Sequence, residues 1–210
     1  MPCTAKKAEI LRLDNHTEGR QDTDIVITTQ EVIRMIKQVG IKFESLSSEA
    51  CDMPFSMASG GASIFGITGG VTEAVLRYLS PEKDHTTLEN IRYCGIRGKE
   101  GFKRATVTLD DRQIDIAVVH GLKNAADLLD EIKKGNAHYD LVEVMACIRG
   151  CILGGGQPVP MGPTTRTARM EGIYRTDRLL SIRYTDDNPM IERIWEDIIA
   201  GREHELLHRA

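Results

Sequence analysis

The chain has 210 residues, 41% of them hydrophobic and 28% charged, which is enough apolar mass for a core and excludes disorder and collagen. Lys and Arg number 27 against 31 Asp and Glu, a net charge of −4, and this argues against nucleic acid, whose phosphates need clustered positive charge. No apolar run approaches the ~18 residues of a membrane span, and the opening residues lack a signal-peptide stretch. The odd count of five cysteines reads as reduced thiols in a cytoplasmic protein.

In chain order, Asp24-Ile25-Val26-Ile27-Thr28 reads as a short buried strand. A helix follows. Thr28 and Glu31 have capping-box spacing, Ile33, Ile36 and Val39 share a side, and Gly40 is a natural stop. A Ser- and Gly-rich loop runs from about Glu44 to Gly70. Val71, Ala74, Val75, Tyr78 and Leu79 then recur at helical spacing and predict an apolar stripe, ended by Pro81. Thr106 to Leu109 and Ile114 to Val119 read as strands joined across Asp110-Asp111. Leu122, Ala125, Ala126, Leu129 and Ile132 form the stripe of a helix over 122–134, stopped by Gly135. Tyr139 to Ala146 is a strand apolar enough to be covered on both faces, and it runs directly into Cys147. Asn188-Pro189 opens a last helix whose Ile191, Ile194, Trp195, Ile198 and Ile199 face a core. Strands alternating with helices predict an α/β fold, a mostly parallel sheet flanked by helices with a hairpin near 106–119.

The sharpest local signal is Cys147-Ile148-Arg149-Gly150-Cys151, followed by Gly154-Gly155-Gly156-Gln157-Pro158. Two thiols four residues apart at a strand's end, with glycines that let backbone N–H groups approach sulfur, suit a soft metal. The same spacing also suits two buried free thiols beside a glycine-rich turn. Cys3 is a third candidate thiol, and Cys51 and Cys94 read as structural. A cubane iron–sulfur cluster normally takes four cysteines. His204-Glu205-Leu206-Leu207-His208 matches the zinc-protease string, but only Arg209 and Ala210 follow it to supply a third ligand. The glycines at 60, 61, 66, 69 and 70 precede a helix without forming either nucleotide-binding glycine motif, so close backbone approach is the better reading.

Together these segments resemble the C-terminal part of the catalytic domain of iron-only (FeFe) hydrogenases. Met1-Pro2-Cys3-Thr4-Ala5-Lys6-Lys7-Ala8-Glu9 is similar to that family's M-P-C-x-x-K-x-x-E signature. Glu143-Val144-Met145-Ala146-Cys147 through Cys151 and on to Pro158 is similar to its E-x-M-A-C-x-x-G-C-x-x-G-G-G-Q-P signature. Phe65-Gly66-Ile67-Thr68-Gly69-Gly70-Val71 and Val118-Val119-His120-Gly121-Leu122 also fit, as does the ending around His204. The resemblance implies one domain over residues 1–210, one lobe of a two-lobed catalytic domain. It also implies conversion between protons and hydrogen at a 4Fe-4S cubane joined to a diiron subcluster. By position, Cys3, Cys147 and Cys151 would hold the cubane, with Cys151 as the bridging sulfur. Lys6 would donate to a cyanide of the diiron unit, Glu9 would orient Lys6, and Met145 and Phe65 would line the diiron pocket. Anionic cyanides need a donor, and a buried ammonium needs a carboxylate.

Three departures accompany the match. The family's T-S-C-C-P-x-W signature, source of the fourth thiolate and a proton-passing cysteine, does not occur in these residues. Ile148-Arg149 stands where the family has Pro-Gly, and Thr72 where it has Met. The expectation is therefore a hydrogenase fragment or subunit that is inactive and cluster-free alone. Its expected partners are the missing N-terminal lobe or a partner subunit and ferredoxin or NAD-linked donor modules, with self-association through uncovered apolar surface. The alternative is a hydrogenase-like regulatory or scaffold iron–sulfur protein without turnover.

Overall fold

The computed structural model describes residues 3–50, 52, 57–80, 82–83, 85–93, 96–97, 101–109 and 111–207. Cys51, Cys94, Pro81, Asp110 and His208 lie outside the described residues, and so do the expectations placed on them. The helices are α1 (Thr4–Glu9), α2 (Thr29–Gln38), α3 (Gly60–Ser63), α4 (Gly70–Leu79), α5 (His85–Tyr93), α6 (Leu122–Lys133), α7 (Pro163–Leu179), α8 (Pro189–Ile194) and α9 (Glu203–Leu207). The strands are β1 (His16–Thr17), β2 (Arg20–Gln21), β3 (Phe102–Leu109), β4 (Arg112–His120) and β5 (Leu141–Met145). The chain divides into two compact units. The first is Met1–Met57, Gly154–Pro160 and Pro189–Ala210; the second is Ala58–Leu153 and Met161–Asn188.

The second unit is built on a sheet in the order β3-β4-β5. β3 and β4 are the expected hairpin, antiparallel with Phe102 opposite Val119, and β4 and β5 are parallel with His120 opposite Met145. The α/β expectation is met, but the sheet is mixed rather than mostly parallel, because the hairpin supplies one of its two ladders. Alternation along β4 divides its side chains between two faces. Ile116 and Val118 pack with Leu76 of α4, Ile91 of α5 and Val107, while Ala117 and Val119 pack with Ala125 and Leu128 of α6. A third cluster gathers Ile64, Ile67, Ile152 and Tyr174 of α7.

Helix positions matched the periodicity better than helix faces did. α4 buries Thr72, Glu73, Leu76 and Arg77, while Tyr78 and Leu79 of its expected stripe are exposed. A hydrophobicity pattern assigns charged positions to solvent, whereas here two charges neutralise each other in the interior. On α6, Leu128 rather than Leu129 faces the sheet. The 17-residue α7 has no apolar stripe in sequence and was not expected; it buries only Tyr174 and Asp177.

In the first unit the capping box of α2 is present. The Thr28 hydroxyl accepts from the Glu31 N–H at 3.4 Å, and the Glu31 carboxylate accepts from the Thr28 N–H at 2.8 Å. Residues 24–28 are irregular rather than a strand. Ile25 is exposed, and the Val26 carbonyl accepts from Lys7 Nζ instead of a ladder neighbour. The last helix opens at Pro189 as expected and passes into a π-turn over Trp195–Ile199, but Ile191, Trp195 and Ile198 are exposed. Among the described residues of this unit, Met190 is the one buried hydrophobic side chain.

Candidate metal centre

In the second unit, β5 delivers the chain to the two-cysteine loop. The Gly121 N–H donates to the Met145 carbonyl at 2.8 Å, closing the parallel ladder. The loop then turns sharply, with Gly150 N–H donating to Cys147 O at 3.1 Å and Leu153 N–H to Gly150 O at 3.2 Å. Arg149 and Gly150 both take the left-handed conformation, φ +66° and +90°. A Cβ on Gly150 would stand 2.9 Å from both Gly66 O and Thr68 N. The glycine of the Cys-x-x-Gly-Cys pattern is thus required by direct backbone contact with the Gly66–Thr68 segment. Cys147 and Cys151 are free and half-buried.

The Glu143 carboxylate, 7% exposed, ties these two segments together. It accepts from Gly69 N–H at 2.6 Å and from Thr72 N–H and Thr72 Oγ, each at 2.8 Å. Gly69 is the N-cap of α4 and offers no side chain. The carboxylate from β5 therefore satisfies amides that helix geometry leaves open and sits where the helix dipole favours negative charge. The first residue of the signature is a structural clamp, and Thr72 supplies its hydroxyl to that clamp.

Behind α4 lies a charge network that sequence reading missed. Arg77 Nη2 donates to Glu73 Oε1 at 2.6 Å, and its guanidinium is bidentate on Asp177 of α7 at 2.8 and 2.9 Å. Arg97 is bidentate on Glu73 at 2.6 and 2.8 Å, and Arg183 on Asp177 at 3.0 and 3.2 Å. Burial pushes the Asp177 carboxyl up, but bonds from Arg77 and Arg183 outweigh it and hold it below the usual carboxylate range. The Arg97 guanidinium lies 3.8 Å from the Tyr174 ring centroid. Burial, with the nearby carboxylates, pushes the Tyr174 phenol up despite that cation.

In the first unit, Cys3 is the N-cap of α1, free and half-buried. The Thr4 N–H donates to Gly155 O at 3.2 Å, and a Cβ on Gly156, φ +92°, would stand 2.6 Å from Thr28 Cγ2. The Gly154–Pro160 strap is thereby seated against α1 and the cap of α2, with Gln157 Nε2 donating to Thr29 Oγ1 at 2.9 Å. Lys6 Nζ donates to Glu9 Oε2 at 2.5 Å, the pairing expected, with both side chains about half exposed. Cys3, Lys6 and Glu9 stand on one short helix and its cap; Cys147 and Cys151 share one loop with Met145 two residues before it. Phe65 is 48% exposed, although the next residue's carbonyl meets Gly150.

Within neither unit do the described residues bring three His, Cys, Asp or Glu side chains together as a metal site. Glu205, the would-be base of the zinc string, accepts from Arg202 at 2.9 Å. The described thiols, Cys3 in the first unit and Cys147 and Cys151 in the second, are free and half-buried, and thiol sulfur is a soft ligand of the type that iron–sulfur clusters take.

A glycine-pinned two-thiol loop at the end of a parallel strand, clamped by Glu143 to the Phe65–Gly70 segment, defines the C-terminal domain of an iron-only hydrogenase large subunit. Residues 1–155 match the family model described as "Iron only hydrogenase large subunit, C-terminal domain", and the chain belongs to this family. Residues 163–209 match a second model, "Iron hydrogenase small subunit". The NADP-reducing hydrogenase subunit HndD of Solidesulfovibrio fructosivorans is 39% identical over 99% of the chain, which covers 36% of HndD. Cytosolic iron-sulfur assembly component 3 of Mus musculus is 30% identical over the whole chain, which covers 45% of it. A solved structure of the FeFe hydrogenase HydA(deltaEFG) superposes with a TM-score of 0.74 at 28% identity, covering 98% of this chain and 60% of that one. The chain thus spans less than half the length of these curated relatives.

Proposed function

We propose that this chain contributes part of the hydrogen-converting centre of an iron-only hydrogenase, 2H⁺ + 2e⁻ ⇌ H₂. Cys147 and Cys151 of the second unit, and Cys3 of the first, would each supply a thiolate to its 4Fe-4S and diiron group. When bound, that group supplies the electrons and the site where hydrogen is made or split. Lys6 would donate a hydrogen bond to an anionic ligand of the diiron unit, and its 2.5 Å pairing with Glu9 would orient the ammonium for that task. Met145 and Phe65 form apolar walls. The observation that carries the reading is the pair of reduced, half-buried thiols on a loop whose backbone is pinned at Gly150.

The fourth thiolate comes from a complementary hydrogenase segment or partner subunit, and electrons come from ferredoxin or NAD-linked modules. The thin core of the first unit supports a covering partner. α2 and the following turn line an uncovered groove of about 640 Å³ with Ile33, Ile36, Ile41 and Phe43, a surface that favours association or self-association. The reduced thiols support a cytoplasmic setting, and no described helix is long and apolar enough to cross a membrane.

A second reading, a regulatory or scaffold iron–sulfur protein without turnover, is favoured by Arg149 between the two thiols. One experiment separates these readings. The chain alone, anaerobically incubated with iron and sulfide, is expected to retain no cubane by iron analysis and electron paramagnetic resonance. Together with a segment carrying the fourth thiolate and a preassembled diiron unit, it is expected to evolve hydrogen. A cubane without hydrogen would establish the second reading, and four irons on the isolated chain would sink the three-thiolate assignment.

A further inference from the structure

Beside the Cys147–Cys151 loop, wholly within the second unit, lies a small cleft of about 20 Å³ lined by Ile67, Thr68, Arg149, Ile152, Arg166 and Thr167. Its polar lining is cationic. Arg149 is half-buried, and Arg166 stands in the opening turn of α7. Among the described residues no carboxylate lines the cleft, and neither guanidinium is paired with one.

Three features of this cleft are individually unfavourable. Thr68 is 5% exposed, yet its hydroxyl finds no hydrogen-bond partner among the described residues, and a buried unpartnered hydroxyl is destabilising. Arg149 holds φ at +66°, a conformation disfavoured for any residue with a Cβ. The first turn of α7 has no acidic residue and no side-chain cap, so Arg166 adds positive charge where the helix dipole is already positive. A single bound anion relieves the charge at both arginines and gives the Thr68 hydroxyl an acceptor.

We propose that the cleft binds an oxyanion of the phosphate type, with Arg149 and Arg166 as charge-assisted donors and Thr68 as the inner hydroxyl donor. Guanidinium forks match paired oxygens better than a spherical halide. The inner space is about that of one water, so one oxygen enters and the rest of the ion stays at the mouth. The inference needs no iron and stands apart from the hydrogenase reading.

The test uses the 210-residue chain, inorganic phosphate as the probe and sodium chloride to hold ionic strength constant. Calorimetric titration is expected to show saturable binding in the ~millimolar range, with a matching rise in melting temperature. Arg149→Gly and Arg166→Gln should each weaken binding about ten-fold, the scale of one charge-assisted contact. Glycine is at ease at φ +66°, so Arg149→Gly is expected to melt no lower than the parent without phosphate; lost binding then does not mean lost folding. Non-saturable heats, equal binding by the variants, or an equal melting response to chloride alone would each overturn the proposal.

Discussion

At Glu143 a single carboxylate joins two stretches of sequence more than 70 residues apart, holding Gly69 and Thr72 through three bonds of 2.6–2.8 Å. The carboxylate is buried, so these bonds are poorly replaced by water, and bonds to a charged group are each worth about 1.5–3 kcal/mol. Glu143→Gln keeps the shape but weakens the acceptor and should cost roughly 1–3 kcal/mol by urea unfolding. Thr72→Val removes one donor to the charged carboxylate and should cost about 1.5–3 kcal/mol. In the double variant the two costs should add to less than their sum, because both remove the same bond. Full additivity would mean that Thr72 does not act through Glu143. The role of Glu143 was partly legible, since it begins a recognisable signature, but its partners lie on another element and could not be read from it.

At the scale of the element, α2 shows a local rule working as written. Its cap residues are neighbours in sequence, so the capping box was readable and is present. Glu31 is held down to about 2 from an ordinary 4.5, first by the Thr28 N–H, then by Lys7 and the Thr28 hydroxyl, with burial acting weakly the other way. A folded-state value below the unfolded one means the stabilisation is complete above about pH 4.5 and is lost as pH falls toward 2. Far-UV circular dichroism between pH 5 and pH 2, a range of about three units around that shift, should show helix loss. Glu31→Gln should abolish that pH dependence while destabilising the helix at neutral pH. α7 shows the opposite case. Its Pro-Thr-Thr-Arg opening and polar length carry no apolar stripe, because what it buries is the carboxylate Asp177 and one tyrosine ring. Periodicity measures hydrophobicity, so a helix held by buried charge is invisible to it.

Across the whole molecule, the chain passes between its two units four times, since the first unit is assembled from three separated stretches. Neither unit is a continuous segment that could be released intact, and we expect residues 1–210 to unfold as one domain. Trp195, the one tryptophan, belongs to the first unit, and Asp177 to the second. Asp177→Asn leaves Arg77, 2% exposed, without its bidentate partner and should cost about 3–5 kcal/mol, as breaking a buried pair does. If the units unfold together, Trp195 fluorescence will report that loss as fully as circular dichroism does. An unshifted fluorescence transition would show two independently folding units.

What the amino-acid sequence by itself determined is the set of candidate groups: thiols at 3, 147 and 151, the Lys6–Glu9 pair and the glycines of the two-cysteine loop. Residue type carries all of them, and short spacing carries the Cys147/Cys151 and Lys6/Glu9 pairs; no distant contact alters either. What the tertiary structure alone decided is which charges enter the interior and which apolar faces stay uncovered. Glu143 is tolerated inside because α4 brings it Gly69 and Thr72, and the Glu73–Arg77 pair of α4 because Asp177 and Arg97 reach it from elsewhere. Spacing along the helix supplies the Glu73–Arg77 pair, but whether its remaining hydrogen-bonding groups are satisfied in the interior depends on that arrival.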